Sequence, residues 1–182
     1  MTQRRVLIVD DDDLMRAGLR AVLSSDDTID VVGEAADGRD AIDRSRSLKP
    51  DVILMDVRML GLDGIAATRE IVATAPEARI LILTTFEDDD YVFGALHAGA
   101  SGFLLKRARP EELIAAIHTI AAGESLLSPA VTRRVIDRLA SSPQPDSSVT
   151  RRLRELTPRE RDVPGARCPR SVKRRDCRHA GR

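Results

Sequence analysis

The run Val52-Ile-Leu-Met55, closed by Asp56, constrains this chain more than any other stretch. Four consecutive apolar residues cannot offer water a polar face at the two-residue period of a strand. The run therefore belongs to a strand buried on both sides, in the middle of a parallel sheet. A carboxylate at the carboxyl end of such a strand stands where open α/β sheets bind ligands. An aspartate there is also a common turn former or helix cap, so a chemical role requires other groups to converge on it.

The rest of the chain supplies a sheet for that strand. Val6-Leu-Ile-Val9 is a second apolar run of strand length, and it breaks into Asp10-Asp-Asp-Asp13. The apolar residues from Leu14 to Leu23 follow helical spacing, with Asp12 or Asp13 as the cap. A short strand around Val31–Ala35 and a helix from about Gly38 to Ser47 come next, and Pro50 ends the helix because the residue before a proline avoids helical geometry. After the central strand come a loop containing Gly61 and Gly64 and a helix from about Asp63 to Thr74. Ile80-Leu-Ile-Leu83 and Gly102-Phe-Leu-Leu105 read as the fourth and fifth strands. A helix around Tyr91–Ala98 separates them and stops at Gly99. A last helix starts at Pro110-Glu-Glu112, where a first-turn proline and acids are favoured, and runs to Gly123. Five strand–helix repeats with short links predict a parallel sheet wrapped by helices on both faces.

Composition narrows the function classes. Aromatic residues make up only 2% of the 182 residues, so aliphatic side chains fill the core and stacking on nucleic-acid bases is not a main mode of action. No apolar run approaches the roughly 20 residues of a membrane span, and the N-terminus leads directly into a strand rather than a signal peptide. A cytoplasmic protein without membrane partners is expected. The formal net charge of zero conceals an asymmetry: residues 146–182 carry twelve Lys/Arg against five Asp/Glu, and the remainder carries the compensating excess of acid. The two parts are expected to meet different partners.

In a parallel sheet the carboxyl ends of all strands share one edge. Asp10 and Asp11, Asp56, Thr84 and Lys106 each follow or end a strand, and so converge on one crevice. Three carboxylates repel one another unless a cation neutralises them, and hard oxygen ligands in that number suit Mg²⁺, which leaves positions for phosphate oxygens. A lysine and a hydroxyl opposite would bind the other oxygens of a tetrahedral anion. Together these are the parts needed for phosphoryl transfer to a carboxylate. Asp12 and Asp13 read as capping residues rather than further ligands. The acidic run Glu87-Asp-Asp-Asp90 reads as a solvated helix start rather than a metal loop.

Val9-Asp-Asp-Asp12, Leu54-Met-Asp56-Val-Arg-Met59, Leu83-Thr84 and Gly102-Phe-Leu-Leu-Lys106 resemble the motifs of the receiver domain of two-component response regulators, over about residues 4–123. The resemblance implies a flavodoxin-like, doubly wound five-stranded sheet in the order 2-1-3-4-5. It implies that Asp56 is the phosphoacceptor, taking its phosphoryl group from a phosphohistidine of a sensor histidine kinase. It further implies Mg²⁺ bound by Asp11, Asp10, Asp56 and the backbone carbonyl of Arg58. Lys106 and Thr84 would bind phosphoryl oxygens, and Phe103 would be the aromatic that turns inward as Thr84 moves. Ordinary core packing is an equal alternative for Phe103. Many receivers have a proline after the lysine, and Arg107 stands there in this chain. An Mg²⁺-dependent phosphohydrolase using Asp56 would need a second acid two residues on, and Arg58 occupies that position.

Beyond the receiver, taken as residues 1–125, Ser128-Pro129 opens a helix to about Leu139 with Val131, Val135, Ile136 and Leu139 on one face. Ser141-Ser-Pro-Gln-Pro-Asp-Ser-Ser148 reads as a flexible linker, which sets residues 126–148 apart as a connecting region. Leu153–Val163 resembles the opening of a LuxR-type helix-turn-helix, and with the receiver it points to the NarL/FixJ class of DNA-binding regulators. From Pro164 the resemblance stops, and the 26 residues from Thr157 to the end are fewer than the roughly 40 that fold unaided. With suitable codons, a one-base shift near residue 163 yields Leu-Ala-Leu-Val-Ala-Arg-Gly-Arg-Ser-Asn-Ala-Glu-Ile-Ala, the expected continuation of such a domain. The expectation is thus a frameshifted, truncated output domain at 149–182 with a disordered basic tail. Cys168, Cys177 and His179 match no common zinc spacing. DNA is implied as a partner of the intact family, and specific binding is not expected from this chain. A homodimer and a stand-alone receiver acting through protein contacts both stay open.

Overall fold

The computed structural model describes residues 3–85, 89–127 and 129–141. In chain order the elements are β1 (Arg4–Val9), α1 (Asp13–Leu23), β2 (Ile29–Ala35), α2 (Gly38–Leu48), β3 (Val52–Asp56), α3 (Gly64–Thr74), β4 (Ile80–Thr84), α4 (Asp89–His97), β5 (Gly102–Leu105), α5 (Pro110–Ala121) and α6 (Pro129–Ser141). The strands form one sheet in the order β2-β1-β3-β4-β5, and all four pairings are parallel. This is the flavodoxin-like order expected from the sequence.

The apolar strand runs divide between two cores at the two-residue period of the sheet. Leu7, Val9, Ile53, Met55, Ile80 and Ile82 face α2, α3 and α4 through Ile42, Ala67, Ile71 and Val92. Val6, Ile8, Val52, Leu54, Leu81 and Leu83 face α1 and α5 through Leu23, Leu113, Ile117 and Ile120. Both faces of β1, β3 and β4 are therefore sealed, at about 1.5–3 kcal/mol for each large side chain buried. This double burial explains why these strands read as continuous rather than alternating apolar runs.

The helix starts follow from local chemistry. Asp12, Asp37 and Asp63 cap α1, α2 and α3, each accepting hydrogen bonds from the first-turn N–H groups. Helix α2 ends at Lys49, which avoids the helical region before Pro50 by taking a left-handed φ of 48°. Helix α4 begins at Asp89, as expected of an acidic helix start, whereas Glu87 and Asp88 lie outside the described residues.

Residues through Ala140 make one compact unit. Within it α6 docks on the domain: Val131 is buried in the same core as Phe103, with Val135 packed against it. Ile136, expected on the same face as Val131 and Val135, is instead exposed. Val135 is four residues on from Val131 and shares its face, whereas Ile136, five residues on, lies roughly 140° round the helix from Val131. Several sequence features lie outside the described residues: Ser128, the Leu139 side chain, the linker to Ser148, the segment Leu153–Val163, and the basic tail with Cys168, Cys177 and His179. Among the described residues no helix is long and apolar enough to cross a membrane.

Candidate functional site

The sheet order reverses between β1 and β3, since the chain passes from β1 to β2 on one side and returns to β3 on the other. Loops leaving these two strands part at their carboxyl ends and open a crevice. Asp10 and Asp11 leave β1 there, and Asp56 ends β3. One carboxylate oxygen from each of the three lies within 4.8 Å of the others.

Each group is held by a specific neighbour. Asp10 is 1% exposed; its Oδ1 accepts from the Asp12 N–H at 3.1 Å, and its Oδ2 is 2.7 Å from Lys106 Nζ. Lys106 Nζ also lies 3.1 Å from Asp56 Oδ2, whose companion Oδ1 accepts from the Val57 N–H at 2.8 Å. The exposed Asp11 accepts from the Leu60 N–H through Oδ2 at 3.3 Å. The β3–α3 loop can reach back to Asp11 because Gly61 takes a φ of 82° and because Gly64 packs on the Asp56 carbonyl, where a Cβ would overlap.

Lys106 follows β5, and its N–H donates to the Thr84 carbonyl at 2.8 Å, which joins the ends of β4 and β5. A turn closed by Ala108 N–H to Leu105 O at 2.9 Å shapes the lysine loop, with Arg107 inside it. Thr84 is buried at the end of β4, and Phe103 is buried in β5 opposite Ile82. The structure thus brings Asp10, Asp11, Asp56 and Lys106 together and sets Thr84 beside the lysine loop. Arg58 lies exposed in the loop after Asp56.

The electrostatics follow from burial. Desolvation pushes the Asp56 carboxyl above the usual carboxylate range; Lys106 opposes this shift, and the negative charge of Asp10 adds to it. Burial alone would depress the Lys106 ammonium, but its bonds to Asp10 and Asp56 outweigh that and hold it above its usual value. One cation therefore serves two buried anions, and a third carboxylate adjoins them. Asp10 Oδ2 is buried against the Lys106 ammonium, which it shares with Asp56. Three clustered carboxylates served by one ammonium form an all-oxygen donor set with excess negative charge, which fits a small hard divalent cation such as Mg²⁺.

Arg16 belongs to none of the sequence motifs, yet it reaches the site. Its Nη1 donates to the Asp10 backbone carbonyl at 2.7 Å, and its guanidinium also pairs with Asp13. The available signal was an arginine in the first turns of a helix that starts at the last of four consecutive aspartates.

The fold, with polar groups at the ends of β1, β3, β4 and β5, defines a receiver-type signalling domain. Residues 6–118 match the response regulator receiver domain family. Over 155 residues the chain is 41% identical to the transcriptional regulatory protein LiaR of Bacillus subtilis (strain 168), covering 84% of this chain and 74% of that protein. It is 39% identical over 131 residues to the response regulator GacA of Pseudomonas viridiflava, covering 72% of this chain and 61% of that protein. Among solved structures, a LuxR-family two-component response regulator from Aurantimonas sp. SI85-9A1 superimposes with a TM-score of 0.71 at 35% identity, over 77% of this chain and 100% of that one. The receiver domain of the putative response regulator NarL from Mycobacterium tuberculosis gives 0.66 at 35% identity, over 68% of this chain and 100% of that one. The chain belongs to the response regulator receiver family and carries the receiver domain of a two-component response regulator homologous to LuxR-family transcriptional regulators.

Proposed function

We propose that Asp56 is the phosphoacceptor of this receiver and that its donor is the phosphohistidine of a sensor histidine kinase. One observation carries the reading: a buried carboxylate at the end of the central strand, 3.1 Å from a lysine ammonium and clustered with two further aspartates. A carboxylate oxygen of Asp56 attacks phosphorus as the bond from phosphorus to the histidine nitrogen breaks, giving an acyl phosphate on Asp56 and a free imidazole. Asp10, Asp11, Asp56 and the Arg58 carbonyl would hold Mg²⁺, which would supply neutralising charge for the carboxylates and the phosphoryl oxygens. Lys106 gives up its pairing with Asp56 to bind a phosphoryl oxygen, and the Thr84 hydroxyl donates to another. Phosphorylation adds nearly two negative charges at one edge of the sheet. Thr84 and Phe103 transmit that change toward α4, β5 and α5.

The receiver motifs end near residue 125, and residues 126–148, of which α6 belongs to the same compact unit, lead to an output segment at 149–182. The relatives' names support an output in transcription, and DNA is the partner expected of an intact family member. A phosphohydrolase would need a general acid two residues beyond Asp56, where Arg58 stands. The protein accordingly acts as a switch rather than as a turnover enzyme.

The test is labelling with a radioactive small phosphodonor and Mg²⁺. Wild-type protein should take up close to one phosphoryl group per chain, in an acyl phosphate that is lost in alkali. Asp56→Asn removes the nucleophile with little change in volume and should remain folded and unlabelled. Full labelling of that variant would place the acceptor on another carboxylate.

A further inference from the structure

We propose that Arg16 is a positioning residue for the divalent cation, acting through the Asp10–Asp11 peptide. The proposal rests on Asp10, Asp11 and Asp56 being the cation site. Arg16 sits in the first turns of α1, where its N–H donates to the Asp12 carbonyl at 3.0 Å. A cation so near a helix N-terminus opposes the helix dipole, so helix stability does not account for it. Its guanidinium is turned back past the helix end to the acidic loop, and the side chain is only 13% exposed. There it meets two acceptors, the Asp10 backbone carbonyl at 2.7 Å through Nη1 and Asp13 Oδ1 through Nη2, and forms an ion pair with Glu34, whose Oε2 is 3.5 Å from Nε. Glu34 is the β2 residue in register with Ile8, and it also pairs with Arg20 one turn further along α1. The planar fork of an arginine spreads five donors over three nitrogens in fixed directions, whereas a lysine offers three from a single nitrogen.

The Asp10 carbonyl and the Asp11 N–H belong to one rigid peptide plane. The opposite side of Asp10 is anchored too, because its N–H donates to the Ala35 carbonyl at 3.1 Å. Fixing this plane fixes the direction in which Asp11 projects its carboxylate. Asp11 depends on that more than its neighbours do, since it is exposed while Asp10 and Asp56 are buried beside Lys106. Arg16 also neutralises Asp13 without pairing with any carboxylate of the cation cluster, and thus offsets the repulsion of four consecutive aspartates.

Charge and positioning predict opposite signs. A fixed positive charge near a cation site weakens cation binding, so if charge were the whole effect its removal would tighten binding. Removal of a positioning group instead weakens it, ordinarily by about 10–100-fold for a group behind the ligands.

The experiment is Mn²⁺ binding to the full unphosphorylated chain, followed by electron paramagnetic resonance of the free ion. The proteins are wild type, Arg16→Ala, Arg16→Lys and Asp11→Asn. Arg16→Ala should bind Mn²⁺ about tenfold more weakly or worse, with Arg16→Lys between it and wild type. Equal or tighter binding by Arg16→Ala overturns the proposal. If circular dichroism shows Arg16→Ala unfolded, Arg16→Lys decides, and wild-type affinity in that variant overturns the proposal. A wild-type protein that binds no Mn²⁺, or that is unaffected by Asp11→Asn, overturns the cation site itself. Wild-type binding that is lost in Asp11→Asn but unchanged in Arg16→Ala overturns the role of Arg16 alone.

Discussion

Asp56 stands between opposed influences. Burial and the charge of Asp10 disfavour its ionisation, Lys106 and the Val57 N–H favour it, and burial prevails. A carboxyl whose pKa is higher folded than unfolded contributes stability that is complete below the unfolded value and is lost as pH rises through the folded one. The metal-free protein should therefore lose stability from this group as pH climbs out of the acid range. Asp56→Asn cannot ionise, so it should raise the metal-free Tm at pH 7 and flatten this part of the pH profile. Thermal melts in a chelator from pH 4 to 8 would show it. A lower Tm for the variant at pH 7 would mean that pairing with Lys106 outweighs burial. The same imbalance explains why a cation suits the crevice: the ammonium already serves both Asp10 and Asp56, and Asp11 adds a further negative charge.

At the scale of elements, the segment after α5 is tied to the switch region. Leu126 bridges to Gly102, its carbonyl accepts from the Phe103 N–H at 3.0 Å, and its N–H donates to Ser101 O at 3.2 Å. It thereby covers part of the outer edge of β5, whose free backbone groups would otherwise invite another strand. Helix α6 then packs Val131 into the core, and Arg138 lies 5.0 Å from the centre of the Phe93 ring on α4. The backbone of the residue expected to respond to phosphorylation is thus bonded directly to the chain that leads into α6. Val131→Ala removes two buried carbon atoms and should cost about 2 kcal/mol. The exposed Ile136→Ala should change stability by less than about 0.5 kcal/mol. Urea denaturation of the two variants checks the docking, and equal losses would mean that α6 packs otherwise.

At the scale of the whole molecule, charge is divided along the chain. The acidic excess lies before residue 146, and twelve basic residues against five acidic ones lie from there to Arg182. Such a basic segment predicts a weak, sequence-independent affinity for DNA through counterion release, with log K falling linearly against log salt. Going from about 50 to 200 mM salt should abolish binding, and Asp56→Asn should leave it unchanged. A gel-shift titration across salt with specific and scrambled duplexes tests this. Sequence-selective binding that required phosphorylated Asp56 would instead show that residues 149–182 form a working DNA reader.

The sequence alone determined the sheet and its edge. The apolar runs of β1, β3 and β4, the capping aspartate ahead of α1, and the breaker Pro50 are local signals, carried by neighbours a few residues apart. The convergence of Asp10, Asp11, Asp56, Thr84 and Lys106 followed from the rule that parallel strands end on one edge. Only the tertiary structure decided that Lys106 pairs with both Asp10 and Asp56. It likewise decided that Arg16 turns back to the Asp10 carbonyl. It also decided that α6 folds back to bury Val131 in the core that holds Phe103. Such choices depend on how far a flexible side chain reaches and on which surface lies opposite it. Those are properties of elements brought together in space, and no local period in the chain encodes them.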